Sequence, residues 1–127
     1  MIFGITGDLA RKMTLRSLYR LDARGLLACP VIGVAAEAWT DDHLRQHALE
    51  AVKATGEPID DAVWKRFANR LSYVGGDFSD GATYEAVASA LGDAANPVFY
   101  LEIPPSLFGM VVAGLADAKL VRSGRRV

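Results

Sequence analysis

The sequence has one cysteine, Cys29, among 127 residues. An internal disulfide is therefore excluded, and the thiol usage suits a reducing compartment. Cys29 reads as a buried or idle thiol before it reads as a nucleophile. Long apolar runs are missing too: nothing approaches the roughly 18 residues of a membrane-spanning helix, and the N-terminus has no signal-peptide pattern. Charge of one sign is not in excess. Fourteen Lys and Arg against fifteen Asp and Glu leave a net charge of −1, which gives no electrostatic footprint for nucleic acid or an anionic membrane. Internal repeats and low-complexity segments are absent. A soluble cytoplasmic domain is the expectation, and 51% hydrophobic residues suffice for one packed core.

What is present alternates strand and helix patterns. A short apolar entry at Met1-Ile2-Phe3 leads through glycines into a helix predicted from about Asp8 to Asp22. Its core side reads as Ala10, Thr14, Ser17, Leu18 and Leu21. Lys12, Arg16 and Arg20 recur every four residues and read as a solvated basic stripe. Val31–Ala36 is a continuous apolar run, as in a strand covered on both faces. Thr40 is placed to cap a helix with Leu44, Ala48, Ala51 and Val52 on its apolar side. His43 and His47 share a face at a spacing that can bind zinc. The His-Glu-x-x-His arrangement and a third ligand are missing, so a solvated face is the better reading.

Asp60-Asp61 opens a further helix with Val63, Trp64 and Phe67 on its apolar edge. Leu71–Val74 is a third strand, ending at Gly75-Gly76-Asp77. Ser79 or Asp80 caps a helix with Tyr84, Val87, Ala88 and Leu91 on one face. Val98–Leu101 is the fourth and most apolar strand. Pro105 suits the first position of the last helix, which is expected to bury Leu107, Val111, Gly114, Leu115 and Ala118. This β-α-β-α-α-β-α-β-α order predicts a doubly wound, Rossmann-like parallel sheet with right-handed crossovers and helices on both faces.

Ligands of such sheets bind beyond the carboxyl ends of the strands. Four stretches meet there: Gly4–Arg11, Ala35–Glu37, Gly75–Phe78 and Glu102–Pro105. The first is the most informative. Gly4-x-x-Gly7-x-x-Ala10 falls between a strand and a helix, where glycine tolerates positive φ and lets backbone approach a ligand. The free N–H groups and positive dipole of the helix start make that junction a site for a pyrophosphate. The spacing lacks one glycine of the full dinucleotide fingerprint, so an ordinary strand-to-helix turn remains the alternative.

Beyond spacing, Gly4-x-Thr6-Gly7-Asp8-Leu9-Ala10-Arg11-Lys12 resembles the opening motif of the glucose-6-phosphate dehydrogenase family. That motif is Gly-x-Ser/Thr-Gly-Asp-Leu-Ala followed by basic residues. Tyr100-Leu101-Glu102-Ile103-Pro104-Pro105 is similar to the family's Tyr-Leu-x-Leu-Pro-Pro, and the resemblance spans the chain. It implies a domain for NAD or NADP at residues 1–127. Its candidate cofactor residues are Gly4, Ile5, Thr6, Gly7, Asp8, Leu9, Arg11, Ala36, Glu37, Asp77, Phe78, Pro104 and Pro105.

Arg11 lies in the first helical turn within reach of a phosphate, and Asp8 is read as stabilising the positive helix end. At Ala36 the family usually has an arginine that grips the 2′-phosphate of NADP. Here that cation is missing and the neighbouring Glu37 can accept from a ribose 2′-OH while repelling a 2′-phosphate. Arg11 or Lys12 could supply the missing charge, or Glu37 could face solvent; NADP or NAD stays open, with a leaning to dual use. Asp77-Phe78 resembles the family's Asp-Val pair beside the adenine, with helix capping as the alternative for Asp77. Met13 departs from a third basic residue of the family. Glu102 is expected at the solvent-facing end of its strand, since burying it unpaired is costly.

The resemblance implies hydride transfer from C1 of glucose 6-phosphate to NAD(P), giving 6-phosphogluconolactone at the entry to the pentose phosphate pathway. The family's histidine base lies in an Arg-Ile-Asp-His-Tyr-Leu-Gly-Lys-Glu-like segment that has no counterpart here. Neither His43 nor His47 stands in that context. The Glu-Lys-Pro lysine is also missing, and Gly124–Val127 reads as a turn into a strand that stops at once. The chain is therefore read as the cofactor part of a longer, homo-oligomeric enzyme, binding nucleotide without turnover and holding no metal. Two rivals are a non-catalytic NAD(P)-dependent redox sensor and a short-chain-type reductase; the latter needs a Tyr-x-x-x-Lys pair not found here.

Overall fold

The structure, a computed structural model, describes residues 1–121 and Val127. The expected turn at 124–126 lies outside the described residues. Four strands, β1 (Ile2–Phe3), β2 (Val31–Ala35), β3 (Leu71–Gly75) and β4 (Tyr100–Leu101), form one parallel sheet in the order β3-β2-β1-β4. The chain starts in the middle, winds outward to β3, then crosses to β4 on the other side of β1. Because all four strands run parallel, the loops that follow them lie at one end of the sheet.

Helices cover both faces. One face carries α1 (Leu15–Ala23), α2 (Asp41–Lys53) and α3 (Asp61–Arg70) over a core that includes Ile5, Leu15, Leu44, Phe67 and Leu71. The other carries α4 (Gly81–Leu91) and α5 (Phe108–Asp117) over Phe3, Val34, Val87, Phe99 and Leu115. Phe3, Phe67 and Phe99 are the largest fully buried side chains. Burial of each such side chain stabilises by roughly 1.5–3 kcal/mol. Caps follow the sequence: Thr40 accepts from the His43 N–H, Asp60 from Ala62 and Val63, and Asp80 from Ala82. Asp80, not Ser79, therefore caps α4. On α2 the expected apolar side, Leu44, Ala48, Ala51 and Val52, is the buried one.

The first helix is different. Its buried residues are Ala10, Leu15, Tyr19 and Asp22, while Ser17 and Leu21 face out. The cause is a π-helical turn over Ala10–Thr14, closed by the Leu15 N–H on the Ala10 carbonyl. One extra residue in that turn rotates everything after it, so the regular period from Ala10 selects the wrong face. The rotation buries the Asp22 carboxylate, which accepts from Arg66 Nε at 2.5 Å and Arg70 Nε at 2.8 Å on α3. Arg16 and Arg20 are likewise tied down, to the Ala51 carbonyl and to Glu57, so the basic stripe is not simply solvated.

The last strand is shorter than its apolar run. Only Tyr100 and Leu101 pair with Ile2 and Phe3. The final helix begins with a 3-10 turn at Pro105–Leu107 before α5, and Val111 and Leu115 are its buried residues. No helix among the described residues is long and apolar enough to cross a membrane.

Candidate functional site

The loops after β1, β2, β3 and β4 converge on the turn after β1. Gly4 ends that strand with its N–H on the Val34 carbonyl at 2.7 Å and turns at φ +87°. A side chain there would run into the carbonyl oxygen of Glu102 after β4. Only glycine meets both demands. The Gly7 N–H closes the turn on the Gly4 carbonyl at 3.0 Å, and Arg11 N–H to Gly7 O at 3.1 Å follows as the first helical bond. The N–H groups of Asp8, Leu9 and Ala10 precede it and have no helical acceptor. These donors, the dipole of the helix and the exposed backbone of Gly7 suit a diphosphate.

Within this stretch the side chains divide. Ile5 is buried against Gly33, so only its backbone is available to a ligand. Asp8, Leu9 and Arg11 are exposed around the helix start. Thr6 reaches sideways, and its hydroxyl donates to Glu37 Oε2 at 2.9 Å. That bond joins the phosphate turn to the loop after β2.

Glu37 is held from three directions. Besides Thr6, its carbonyl accepts from the Tyr73 hydroxyl at 2.6 Å and packs on Gly75, where a Cβ would approach it to 2.9 Å. Burial, with the Glu37 charge adding, pushes the Tyr73 phenol up to about 12, so it stays a donor at neutral pH. Ala36 is exposed beside Glu37 and offers no cation. The Glu37 carboxylate keeps acceptor capacity for a hydroxyl donor such as a ribose 2′-OH.

Asp77 and Phe78 lie after β3. One Asp77 oxygen accepts both the N–H and the hydroxyl of Ser79, at 2.7 and 2.6 Å, and these bonds hold its carboxyl below the ordinary value. Asp77 thus builds its own turn, not the cap of α4. Phe78 packs edge-on against Phe3 with centroids 5.7 Å apart, leaving part of its ring open. Pro104 and Pro105 are exposed on the rim after β4. The four loops are therefore contiguous, with Glu102, Gly4, Thr6, Glu37 and Gly75 in direct succession.

Two arrangements lay beyond the sequence pattern. His43 is exposed, as a solvated face predicts, but it stacks on Trp39 at 4.2 Å, and the half-buried His47 tilts against the same indole at 4.9 Å. Burial lowers the His47 pKa and the Arg11 charge adds to the effect, keeping the ring neutral near pH 7. Glu102 is not at a solvent-facing end. It folds inward to accept the Thr14 hydroxyl, with its other oxygen buried and unpartnered among the described residues. Eighty-eight residues separate the pair, so no local spacing signals it. Tyr73 was the more accessible omission, being aligned with Gly33 in the β2–β3 ladder directly below Glu37.

A doubly wound parallel sheet with a glycine turn, an open helix start and a carboxylate after the second strand defines a dinucleotide-binding domain of the Rossmann type. Comparison with known proteins gives the family. Residues 1–127 match "Glucose-6-phosphate dehydrogenase, NAD binding domain", and the chain belongs to that family. NAD or NADP is accordingly its cofactor class. Glucose-6-phosphate 1-dehydrogenase 1 of Mycobacterium tuberculosis is 49% identical over 125 residues, covering 98% of this chain and 27% of its own. The Dickeya dadantii glucose-6-phosphate 1-dehydrogenase is 35% identical over 132 residues, again with 27% of its length matched. The crystal structure of the Mycobacterium avium enzyme superimposes with a TM-score of 0.93 at 54% identity, over 98% of this chain and 27% of that one. A glucose-6-phosphate dehydrogenase solved with glucose 6-phosphate gives a TM-score of 0.84 at 28% identity, with 28% of its chain covered. The chain spans about a quarter of the length of the relatives it matches.

Proposed function

We propose that this chain is the cofactor-binding part of a glucose-6-phosphate dehydrogenase. In that role the longer protein oxidises glucose 6-phosphate to 6-phosphogluconolactone, with NAD(P) accepting the hydride, at the entry to the pentose phosphate pathway. The observation that carries the reading is the turn at Gly4, with φ +87° and the Thr6–Glu37 bond linking it to the second loop. The diphosphate sits on Gly4–Ala10 and Arg11, the adenosine ribose on Ala36 and Glu37, the adenine near Asp77 and Phe78, and the nicotinamide end near Pro104 and Pro105.

Residues 1–127 form the NAD(P) domain, and the sugar site and oligomer contacts belong to the remainder of the longer protein. A base for the C1 hydroxyl must lie within hydrogen-bond reach of its proton. His43 and His47, the two histidines present, are packed on Trp39 and do not serve. The chain alone binds nucleotide and turns nothing over. Both cofactors bind, with Glu37 favouring NADH because a 2′-phosphate meets its charge.

Fluorescence titrations with NADH and NADPH test this reading. Saturable binding of both is expected, and Glu37→Ala should move preference toward NADPH. Absence of binding in a folded chain would refute the cofactor role. Glucose-6-phosphate-dependent reduction of NAD(P) by the purified chain would refute the division of labour.

A further inference from the structure

Glu102 belongs to none of the loop positions to which the resemblance assigns a contact, yet it touches every part of the strand–turn–helix unit. Its N–H donates to the Phe3 carbonyl at 2.9 Å, at the end of β1. Its own carbonyl oxygen occupies the space that a side chain at Gly4 would need. Its carboxylate accepts the hydroxyl of Thr14, the last residue of the π-helical turn. One residue thus fixes the strand end, the turn and the point where the helix regains its regular period.

That arrangement carries a cost. The second carboxylate oxygen is buried and has no hydrogen-bond partner among the described residues. Burying a carboxylate oxygen unsatisfied is unfavourable, and an apolar side chain of similar size would avoid it. The π-helical turn is itself a rare geometry, found mostly as a single turn inside an α-helix and often at functional sites. Both features concern the same five residues, Ala10–Thr14, which follow directly on the N–H groups of the helix start.

We propose that Glu102 is a positioning residue for the phosphate-binding turn. Through Thr14 it holds the π-helical turn, and through that turn it sets the direction of the Asp8, Leu9 and Ala10 N–H groups relative to Gly4. Any ligand with a diphosphate at the helix start feels this setting, while a ligand without phosphate does not. The inference rests on the reading of the Gly4 turn as a nucleotide site.

The test compares NADH with adenosine, which has no phosphate, on the purified chain. Thr14→Val, Glu102→Leu and Glu102→Asp each remove the bond, the last by shortening the side chain while keeping its charge. NADH affinity should fall about tenfold or more in all three, with adenosine affinity unchanged within twofold. Thr14→Ser and Glu102→Gln keep a hydroxyl donor or a carbonyl acceptor and should stay within twofold of wild type for both ligands. The Thr14→Val/Glu102→Leu double variant should bind no more weakly than the worse single. Should Glu102→Leu not fold, Glu102→Asp and Thr14→Val decide. Wild-type affinity for NADH in those two, or equal loss of NADH and adenosine, overturns the inference and leaves the cofactor reading standing. A wild-type chain that binds adenosine but not NADH would overturn both.

Discussion

The two flanks of the sheet differ. On the β3 side, five residues of β2 pair with five of β3, from Val31–Leu71 to Ala35–Gly75. Helices α2 and α3 pack on β3 from one face and α4 from the other, and the buried Asp22 joins α1 to α3 through Arg66 and Arg70. Arg45 adds bonds from α2 to the carbonyls of Ala68 at 2.9 Å and Leu71 at 3.1 Å. On the β4 side, two residues pair with two. Phe99 is 1% exposed beneath α4 and α5, while Val98 and Tyr100, pointing the other way, are each 54% exposed. They border an apolar groove of about 420 Å³ with Met13, Leu18 and Leu27. A parallel strand is ordinarily covered on both faces. Packing is therefore two-sided on the β3 flank and one-sided at β4, while the nucleotide site straddles both.

The sharpest way to break this contrast is to truncate one side chain on each flank. Phe67→Ala, in the core beneath α3, should cost about 3–5 kcal/mol in urea unfolding. Tyr100→Thr should change stability by no more than about 0.5 kcal/mol. Equal losses would abolish the asymmetry. Phe99→Ala, just before β4 and on its covered side, should behave like Phe67→Ala and show that the face matters, not the strand.

Asp22→Asn comes next. Breaking a buried ion pair typically costs about 3–5 kcal/mol, but Arg66 is 48% exposed and water can take over part of its solvation. A loss of about 2 kcal/mol is expected, below that range for a fully buried pair. The same residue gives the β3 flank an acid signature. Burial pushes the Asp22 carboxyl up, but the hydrogen bonds and charges of Arg66 and Arg70 outweigh it and hold it below the ordinary 3.8. A depressed folded-state value means that the stabilisation is complete above 3.8 and is lost as pH falls through the lower value. Urea midpoints measured from pH 5 downward should fall in wild type and fall less in Asp22→Asn; parallel curves would contradict the assignment.

The smallest effect belongs to the open flank. Tyr100→Lys should leave the unfolding midpoint unchanged while raising the concentration at which the chain stays monomeric, because a lysine blunts an exposed edge strand. Light scattering reads the difference. An unchanged aggregation threshold would mean that the β4 edge is not the adhesive surface.

These contrasts also explain what could be read from the chain. The alternation of elements, the sheet class and the α2 face at Leu44, Ala48, Ala51 and Val52 follow from regular periods and were legible. So was the glycine turn, because Gly4 and Gly7 answer to local backbone geometry. The α1 face was not legible: the π-helical turn at Ala10–Thr14 breaks the period, and its last residue, Thr14, bonds to Glu102 after the neighbouring strand β4. Glu102 itself was misplaced because a local burial argument cannot see a hydroxyl on a different element. Thr6 and Glu37 were each singled out, but the bond between them depends on β1 and β2 being neighbours. Tyr73 escaped for the same reason. Local chemistry was readable where the partner is near in sequence, and hidden where the sheet supplies it.

A nuclear magnetic resonance titration of the isotope-labelled chain with NADH would test the Gly4 turn as the nucleotide site. Saturable shifts of the amides from Gly4 to Arg11, together with Glu37 after β2, are expected. A dispersed spectrum of a folded chain in which those amides stay fixed as NADH is added would contradict it.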